Sequence, residues 1–404
     1  MSMNIALTGL NAANEDLSVT SNNLANVATT GFKGSRTEFA DLFASTQQGA
    51  IATGNGVDIA EVAQQFAQGN IETTGNTLDM AVSGNGFFIV SKNGALNYTR
   101  DGEFQLNSTG QVVTASGALL QGYPPLANGT FNTGGLSDIT LTTNESQPQA
   151  TSTAQITANL PADATPPADA PFSATDPNSY NNTTSLTVYD SLGAAHTASL
   201  YFINTAPNAW AAQLTVDGTA VGAPQPLTYS QTGQLLTPAN GQVAFPAYTP
   251  ATGAQAMNMT FDFSNTTQYG GNFGVTAVQQ NGYTTGQLTG INISQTGVVQ
   301  AQFTNGNSVN LGQVALANFA NAQGLQQLGN ASWSATNASG AAVNGVAGNS
   351  GYGNIQSGSL EQSNVDTTAA LVDMITAQRD FQANAQMIQT EDQVTQSIIN
   401  IRGG

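Results

Sequence analysis

The stretch MNIALTGLNAANEDLSVTSNNLANVA, residues 3–28, decides how this chain is read. Met3, Leu7, Leu10, Asn14, Leu17, Ser21, Leu24 and Ala28 recur at alternating steps of four and three. At the other end, within residues 365–402, Leu371, Met374, Gln378, Phe381, Ala385 and Ile388 keep the same rhythm. That spacing is the a/d seam of a coiled coil. The first segment predicts a helix about 39 Å long at 1.5 Å per residue. It should end near Thr29-Thr30-Gly31, where β-branched residues and glycine weaken helix. The second helix should open at Ser363 and Asp366, which are spaced like a capping box. It then runs without Gly or Pro to Gly403, its apolar phase drifting after Ile388 to Val394, Ile398 and Ile401.

A simpler alternative is a pair of ordinary amphipathic helices, each packed on its own domain. The seams argue against it, because they are narrow and include Asn14, Ser21 and Gln378. Polar a/d residues weaken a coiled coil while fixing register and oligomer state. Many weak, register-defining contacts suit repeated subunits better than a monomer's core.

At 404 residues the chain should hold roughly two to four domains. Only 7% of residues are charged, against a usual ~25%. Solubility therefore falls to Asn, Gln, Ser and Thr, and disorder is a poor explanation because disordered chains are usually charge-rich. The net charge is -18 with six basic residues. Nucleic acid is excluded as a partner by the shortage of Lys and Arg, and an anionic membrane surface is disfavoured for the same reason. No apolar run approaches the ~20 residues of a membrane span, so no membrane insertion is expected. Cysteine is absent, which removes disulfides and thiolate chemistry. The opening Met-Ser-Met-Asn-Ile lacks the basic and apolar regions of a cleaved signal. The expectation is a protein that stays inside or leaves by a route that reads no such signal.

Between the ends the period becomes two. Residues 31–70 read as an irregular connecting region, with an apolar cluster at Phe39, Leu42 and Phe43 and a short strand around Val57, Ile59 and Val62. Residues 78–90 read as strand, Gly turn, strand, and Asp101-Gly102 sits between alternating segments as a hairpin signal. Residues 161–171 hold Pro161, Pro166, Pro167 and Pro171 and read as a linker or extended edge. Strand patterns then recur to residue 318, and 334–358 reads as irregular. The resulting fold class is mainly β with long terminal α-helices in a nested multi-domain architecture. The predicted segments are 1–30 (N-terminal coiled-coil helix), 31–70 (connecting region), 71–145 and 285–360 (two parts of one β domain), 146–284 (an inserted β domain) and 361–404 (C-terminal coiled-coil helix). The helices should pair antiparallel, because the chain leaves and returns at one end.

Candidate chemistry is sparse. His196 is the one histidine, whereas metal sites and acid–base triads recruit several convergent groups. It reads as an exposed turn or strand residue. Gly54-Asn-Gly56 and Gly84-Asn-Gly86 open no helix after a strand, so turns explain them better than a dinucleotide site. Asp190, Asp262 and Glu103 are the carboxylates that a glycosidase pair would draw on. No catalytic residue, cofactor or metal ligand is assigned, and the chain is read as a non-enzyme.

Four segments carry a resemblance. Asn23-Leu-Ala-Asn-Val-Ala-Thr-Thr-Gly-Phe-Lys33 resembles the ANxxTxGFK signature of flagellar rod and hook axial proteins, through Asn23, Asn26, Gly31, Phe32 and Lys33. Leu78-Asp-Met-Ala-Val-Ser-Gly-Asn-Gly-Phe-Phe88 and Tyr98-Thr-Arg-Asp-Gly-Glu-Phe104 resemble that family's first β-domain motifs. Ser363-Asn364-Val-Asp366, with Ala377-Gln378-Arg379-Asp-Phe381 and Asn384, resembles its C-terminal helix. The long interior, with Tyr180 to Tyr201, Gln280-Asn-Gly-Tyr283 and Leu316-Ala-Asn-Phe-Ala320, resembles the hook members rather than the shorter distal-rod members.

The resemblance implies a structural subunit of a curved tube that links a rotary motor to its filament as a universal joint. It implies terminal helices lining a central channel, with two β domains stacked outward, and export through the flagellar type III apparatus to an extracellular position. The implied partners are further copies of the chain in a helical homopolymer, a distal rod protein at the proximal end, a hook cap during growth, and a hook–filament junction protein at the distal end. Assembly contacts are expected from Leu7, Leu10, Leu17, Leu24, Leu371, Met374, Phe381, Ile388 and Ile398. The alternatives are a distal-rod-type axial protein or, from another class, a secreted β-rich adhesin or glycan-active enzyme.

Overall fold

The computed structural model describes residues 2–42, 54–126, 129–141 and 145–402. Two helices bracket an otherwise β chain: α1, Ser2–Ala25, and α2, Thr367–Arg402. α1 stops three residues short of the expected end, and 26–31 form turns closed by Thr29 N to Asn26 O at 3.1 Å. α2 is capped by Asp366, whose Oδ1 accepts from Ala369 N at 2.9 Å. Ser363 is therefore not the cap; its Oγ accepts from Val365 N at 3.3 Å, outside the helix. The carboxylate sits one residue before the helix, where an N-cap acceptor belongs.

The chain folds into two compact units. The first comprises residues 1–143, 291–301 and 309–404. Its central strand, Ser308–Asn318, pairs with Leu119–Tyr123, Phe87–Lys92 and Val343–Val346. Phe87-Phe-Ile-Val90 is buried at every position. Phe88 and Val90 feed one core with Met80 and Leu316, while Phe87 and Ile89 feed a second with Trp333 and Tyr98. A continuous apolar run is what a strand covered on both faces requires.

Several local expectations are corrected here. Asp101-Gly102 is not a hairpin turn, because Ala95–Thr99 pairs with Phe87–Lys92 and Ser332–Ser334, and Phe104–Leu106 pairs with Val112–Thr114. Gly102 instead accepts a hydrogen bond from Met80 N at 3.0 Å, and a Cβ there would collide with Met80 O. The two-residue hairpin turn lies at Asn93-Gly94, with φ of 53° and 83° between paired Lys92 and Ala95. Within 31–70 the expected strand around Val57 is present as Val57–Gln64, and it pairs antiparallel with an unexpected strand, Ser35–Asp41, beside α1. Phe39 in it is exposed, and Phe43 lies outside the described residues. The 334–358 stretch also contains strands, of which Asn354–Ser357 pairs with Met80–Ser83.

The second unit comprises residues 144–290 and 302–308. Two five-stranded sheets share one core. One is an antiparallel meander from Asn182–Tyr189 to Leu235–Thr237. The other is built on Thr153–Pro161, which alternates Ala154, Ile156, Ala158 and Leu160 inward. Pro161 thus ends a central strand, and 162–171 belongs to the body of this unit rather than linking two. The chain's way in and way out run side by side: Ser146 N donates to Gly286 O at 2.8 Å and Gln149 N to Tyr283 O at 2.9 Å.

Candidate assembly interface

The two helices pair antiparallel. A Cβ on Gly9 would lie 2.7 Å from Asn384 Oδ1, and Asp16 has Asp373 and Asp380 as electrostatic neighbours. At the far end of α1, Asn23 holds Ser35 with both ends of its amide: Nδ2 donates to Ser35 O at 2.7 Å, and Oδ1 accepts from Ser35 N at 2.9 Å. The buried positions of α1 are Ala6, Ala12, Ala13, Val19 and Thr20, and those of α2 are Ala370 and Ala377. Small residues let the two backbones approach closely. A Cβ at Gly9 would press on the Asn384 side-chain amide.

Three of the larger a/d residues face elsewhere. Met3 and Leu7 are 48% and 49% exposed, and Leu371 is 44% exposed. Asn14, Ser21 and Gln378 are exposed, whereas Leu10, Leu17, Leu24, Met374, Phe381 and Ile388 are half-buried. On α2 the inward set is Ala370, Met374, Ala377, Phe381, Asn384, Ala385 and Ile388. It shares Met374, Phe381, Ala385 and Ile388 with the expected seam, adds Ala370, Ala377 and Asn384, and leaves out Leu371 and Gln378. α1 has 24 residues and α2 has 36. The excess of twelve is about 18 Å at 1.5 Å per residue. Val394, Ile398 and Ile399 on the overhang are more than half exposed.

The motif residues at the helix ends converge on a buried charge cluster. Lys33 Nζ donates to Glu361 Oε1 at 2.6 Å and to Ala67 O at 2.8 Å. Arg100 Nη1 donates to Glu361 Oε2 at 3.2 Å, and Nη2 donates to Gly84 O at 2.8 Å. Gly69 N adds a third donor to Glu361 at 2.9 Å. Lys33 is 1% exposed and Glu361 is 0% exposed. Burial lowers the Lys33 ammonium and the Arg100 guanidinium from their ordinary values, with Glu361 pulling both back up. Removing one member of such a buried set typically costs about 3–5 kcal/mol, because the remaining charge is left uncompensated. Gly31, at φ 67°, passes so close to Asp101 N that a Cβ would collide with it. Gly31 N also donates to Glu361 O at 2.8 Å, and Phe32 is buried beside it. Asn364 completes the knot: its Oδ1 accepts from Gly34 N at 2.8 Å, and its Nδ2 donates to Gln65 O at 2.6 Å.

The remaining motif residues play other parts. Asn26 makes local contacts, donating to Asn22 O at 3.0 Å and accepting from Thr29 Oγ1 at 3.2 Å. Arg379 is exposed on α2. Sequence reasoning did not single out Glu361. The one signal that pointed to it is the rarity of cations: two of the chain's six basic residues, Lys33 and Arg100, lie in motif segments and share a single partner.

Outside this region His196 needs correction. It is buried, with Nδ1 2.6 Å from Asp217 Oδ2 and Nε2 3.3 Å from Asp190 Oδ2. Asp190 is itself saturated by Thr252 Oγ1 at 2.7 Å and by the Leu192 and Ala194 amides at 2.9 Å. Its alternation with Ala198, Leu200 and Phe202 along Ala195–Ala206 is what turns His196 inward. Of the three carboxylates weighed as a glycosidase pair, Glu103 falls in the first unit, while Asp190 and Asp262 fall in the second. Among the described residues no group of three or more His, Cys, Asp or Glu is placed to hold a metal. No described helix is long and apolar enough to cross a membrane.

A helix pair tied by a charged knot to its β unit, with unsatisfied apolar stripes on the helices, defines an axial structural subunit rather than a chemical site. The comparisons agree with that class. Residues 3–33 match the flagella basal body rod protein family, 81–164 the flagellar hook protein FlgE/F/G D1 domain, 159–283 the flagellar basal body protein FlaE D2 domain, and 356–401 the flagellar basal body rod FlgEFG protein C-terminal family. The flagellar hook protein FlgE of Salmonella typhimurium is 40% identical over 412 aligned residues, covering 100% of both chains. That of Escherichia coli K12 is 39% identical over the same span. That of Rhizobium meliloti is 32% identical, covering 99% of this chain and 98% of its own. The crystal structure of Helicobacter pylori flagellar hook protein FlgE2 shares the fold at TM-score 0.55 and 13% identity, covering 72% of this chain and 100% of that one. The chain belongs to the flagellar hook protein FlgE family: it is a structural, polymeric component of the flagellar hook.

Proposed function

We propose that the terminal helices join copies of this chain into a curved, flexible tube that acts as a universal joint around an export channel. The observation that carries this reading is the exposed apolar side chains at both ends of the helix pair, Met3 and Leu7 at one end and Leu371 at the other. Leu10, Leu17, Leu24, Met374, Phe381, Ile388 and Ile398 extend this set as contacts between copies. An exposed apolar stripe on a helix is a surface awaiting a partner. The tube would meet a distal rod protein at its proximal end, a cap while it grows, and a junction protein at its distal end. Subunits would reach it through the flagellar type III apparatus, and the chain would carry no catalytic activity. Few surface ion pairs would leave neighbouring β units free to slide.

The test is a truncation lacking residues 1–30 and 365–404. Electron microscopy of the full chain should show curved tubes. The truncated chain should remain a folded, β-rich monomer at all concentrations, and fibres formed by it would sink the reading.

A further inference from the structure

His196 carries the only positive side-chain charge that the second unit can form. Residues 144–290 and 302–308 hold several Asp and Glu, one His and no Lys or Arg. The imidazole stands where three pieces of this unit meet. Asp190 comes from the turn after Asn182–Tyr189, Asp217 from the turn after Ala209–Val216, and Tyr248 and Thr252 from the loop that follows Phe245. That loop is closed at its base, where Tyr248 N donates to Met257 O at 3.0 Å and Met257 N to Tyr248 O at 2.7 Å. Its tip, 249–256, is tied to the body by Thr252 and Gln255. Thr252 Oγ1 donates to Asp190 Oδ2 at 2.7 Å, and Gln255 N donates to Ser191 Oγ at 3.0 Å. Pro250 and Ala254 are buried, so the tip lies down on the body. Tyr248 adds a ring edge-on to the imidazole at 6.2 Å and a hydroxyl hydrogen-bonded to Asp217. These tethers lead to the two carboxylates that face His196, or to the residue beside one of them.

Proton counting shows what the arrangement does. Asp217 Oδ2 lies 2.6 Å from Nδ1, and Asp190 Oδ2 lies 3.3 Å from Nε2. Ionised carboxylates only accept hydrogen bonds. The imidazolium has two N–H donors and serves both. The neutral ring has one, and its other nitrogen turns a lone pair on an anion. The shorter contact keeps the last proton on Nδ1, so the contact that fails is the one to Asp190. Asp190 is 0% exposed. Removing the counter-charge leaves a buried carboxylate uncompensated, which is strongly destabilising. No other cation in the unit can replace it. Water can, and the least costly way to admit water is to lift the tip, which gives up the Thr252 and Gln255 bonds and leaves the strand ladders intact. Burial opposes the charge on His196, but the hydrogen bonds to Asp217 and Asp190 outweigh it, so the proton leaves above the ordinary 6.5. Tyr248, the other titratable group against the ring, is pushed up by burial and by Asp217 and stays neutral over the same range. A raised histidine stabilises in full below its unfolded value and ceases to do so as pH rises through the folded one. The tip is therefore closed on the acid side and released on the alkaline side.

We propose that His196 is a proton-operated latch on the 249–256 tip: the imidazolium holds the tip down through Asp190, and the neutral ring releases it without unfolding the two sheets. The latch belongs to the second unit alone and stands whether or not copies join through their terminal helices.

The experiment is amide hydrogen exchange on the dilute full chain from about pH 6 to 9, with rates corrected for the intrinsic pH dependence of exchange. The Gln255 amide reports the tip, and the Ala195–Ala206 and Ala209–Val216 strands report the body. In wild type the Gln255 amide should lose at least tenfold in protection across the range, at the pH where the His196 ring protons titrate, while the strands keep theirs. His196→Gln should leave the tip open at every pH, with no step. Thr252→Val, which keeps the histidine and removes one tether, should open the tip at every pH while the ring still titrates. Should His196→Gln fail to fold, wild type and Thr252→Val decide by themselves. A Gln255 amide that stays protected while the ring titrates would overturn the proposal. So would tip and strands losing protection together, which is global unfolding, or a step that survives in His196→Gln, which would assign the release to another group. A ring still charged at about pH 9 would overturn it as well.

Discussion

At the scale of single residues, the chain places its few charges with unusual economy. Lys33 was legible, because the motif around Gly31 and Phe32 marked it. Glu361 was not, because a lone acidic residue in a Ser-Leu-Glu stretch has no period or turn to announce it. His196 was misjudged for a related reason: one polar residue on an alternating strand can face inward when its partners, Asp190 and Asp217, come from elsewhere in the chain. Burial disfavours the imidazolium, but hydrogen bonds to Asp217 and Asp190 outweigh it and raise His196 above its ordinary value of 6.5. Burial likewise opposes the Asp190 carboxylate, yet Thr252, the Ala194 amide, His196 and the Leu192 amide bring it down to about 2. A raised histidine contributes stability in full below the unfolded value, and that contribution is lost as pH rises through the folded one. A depressed carboxyl contributes above its unfolded value of 3.8, and that contribution is lost as pH falls towards 2. The clasp should therefore stabilise most between about pH 4 and 6.5. His196→Asn should narrow its melting difference from wild type on both sides of that window. Because the chain has one histidine, its imidazole proton resonance is a single signal. A midpoint at or below 6.5 would show the clasp to be electrostatically idle.

At the scale of elements, the heptad rhythm was legible and its orientation was not. Pattern reading sends large apolar residues inward, but here Gly9, Ala13, Ala370 and Ala377 bring the helices together and Leu7 and Leu371 are left out. The choice follows from closeness: a helix pair with small residues at its seam gains backbone contact that a leucine seam cannot offer. It also leaves Leu7 and Leu371 free for another surface. Asp101-Gly102 failed as a hairpin signal for a similar reason, since Gly102 is needed under Met80 rather than in a turn. Leu7→Asp and Leu17→Asp separate the two roles of α1. Fully burying a leucine in a contact between copies contributes ~1.5–3 kcal/mol, repeated at every lattice contact. Both variants should abolish tube formation. The melting of the monomer should barely move for exposed Leu7 and should fall modestly for half-buried Leu17. Tubes of normal appearance from Leu7→Asp would remove this stripe from the assembly contact.

At the scale of the whole molecule, the nesting was readable from helix, strands and helix in that order, because a chain that must return to its first helix encloses what lies between. The role of the prolines was harder to read. Prolines at 161–171 read as a linker or extended edge, yet Pro161 closes a central strand; the paired passage lies at Ser146 with Gly286 and Gln149 with Tyr283. Two adjacent strands of chain at the passage mean that an excursion can be cut out without stretching the rest, since insertions whose ends lie close are often removable. Replacing residues 146–284 by a short Gly/Ser linker should therefore leave the first unit folded. Its cores around Phe88 and around Trp333 draw no residue from that segment. The Lys33–Glu361–Arg100 knot and the helix pair also lie wholly in the first unit, so the deletion variant should still polymerise. Its tubes should lose their defined curvature if contacts of the removed unit are what limit how far neighbouring copies slide. Imaging the variant's tubes decides between the possibilities. Failure to polymerise would put the inserted unit in the assembly core, and normally curved tubes would mean that curvature is set by the first unit and the helices.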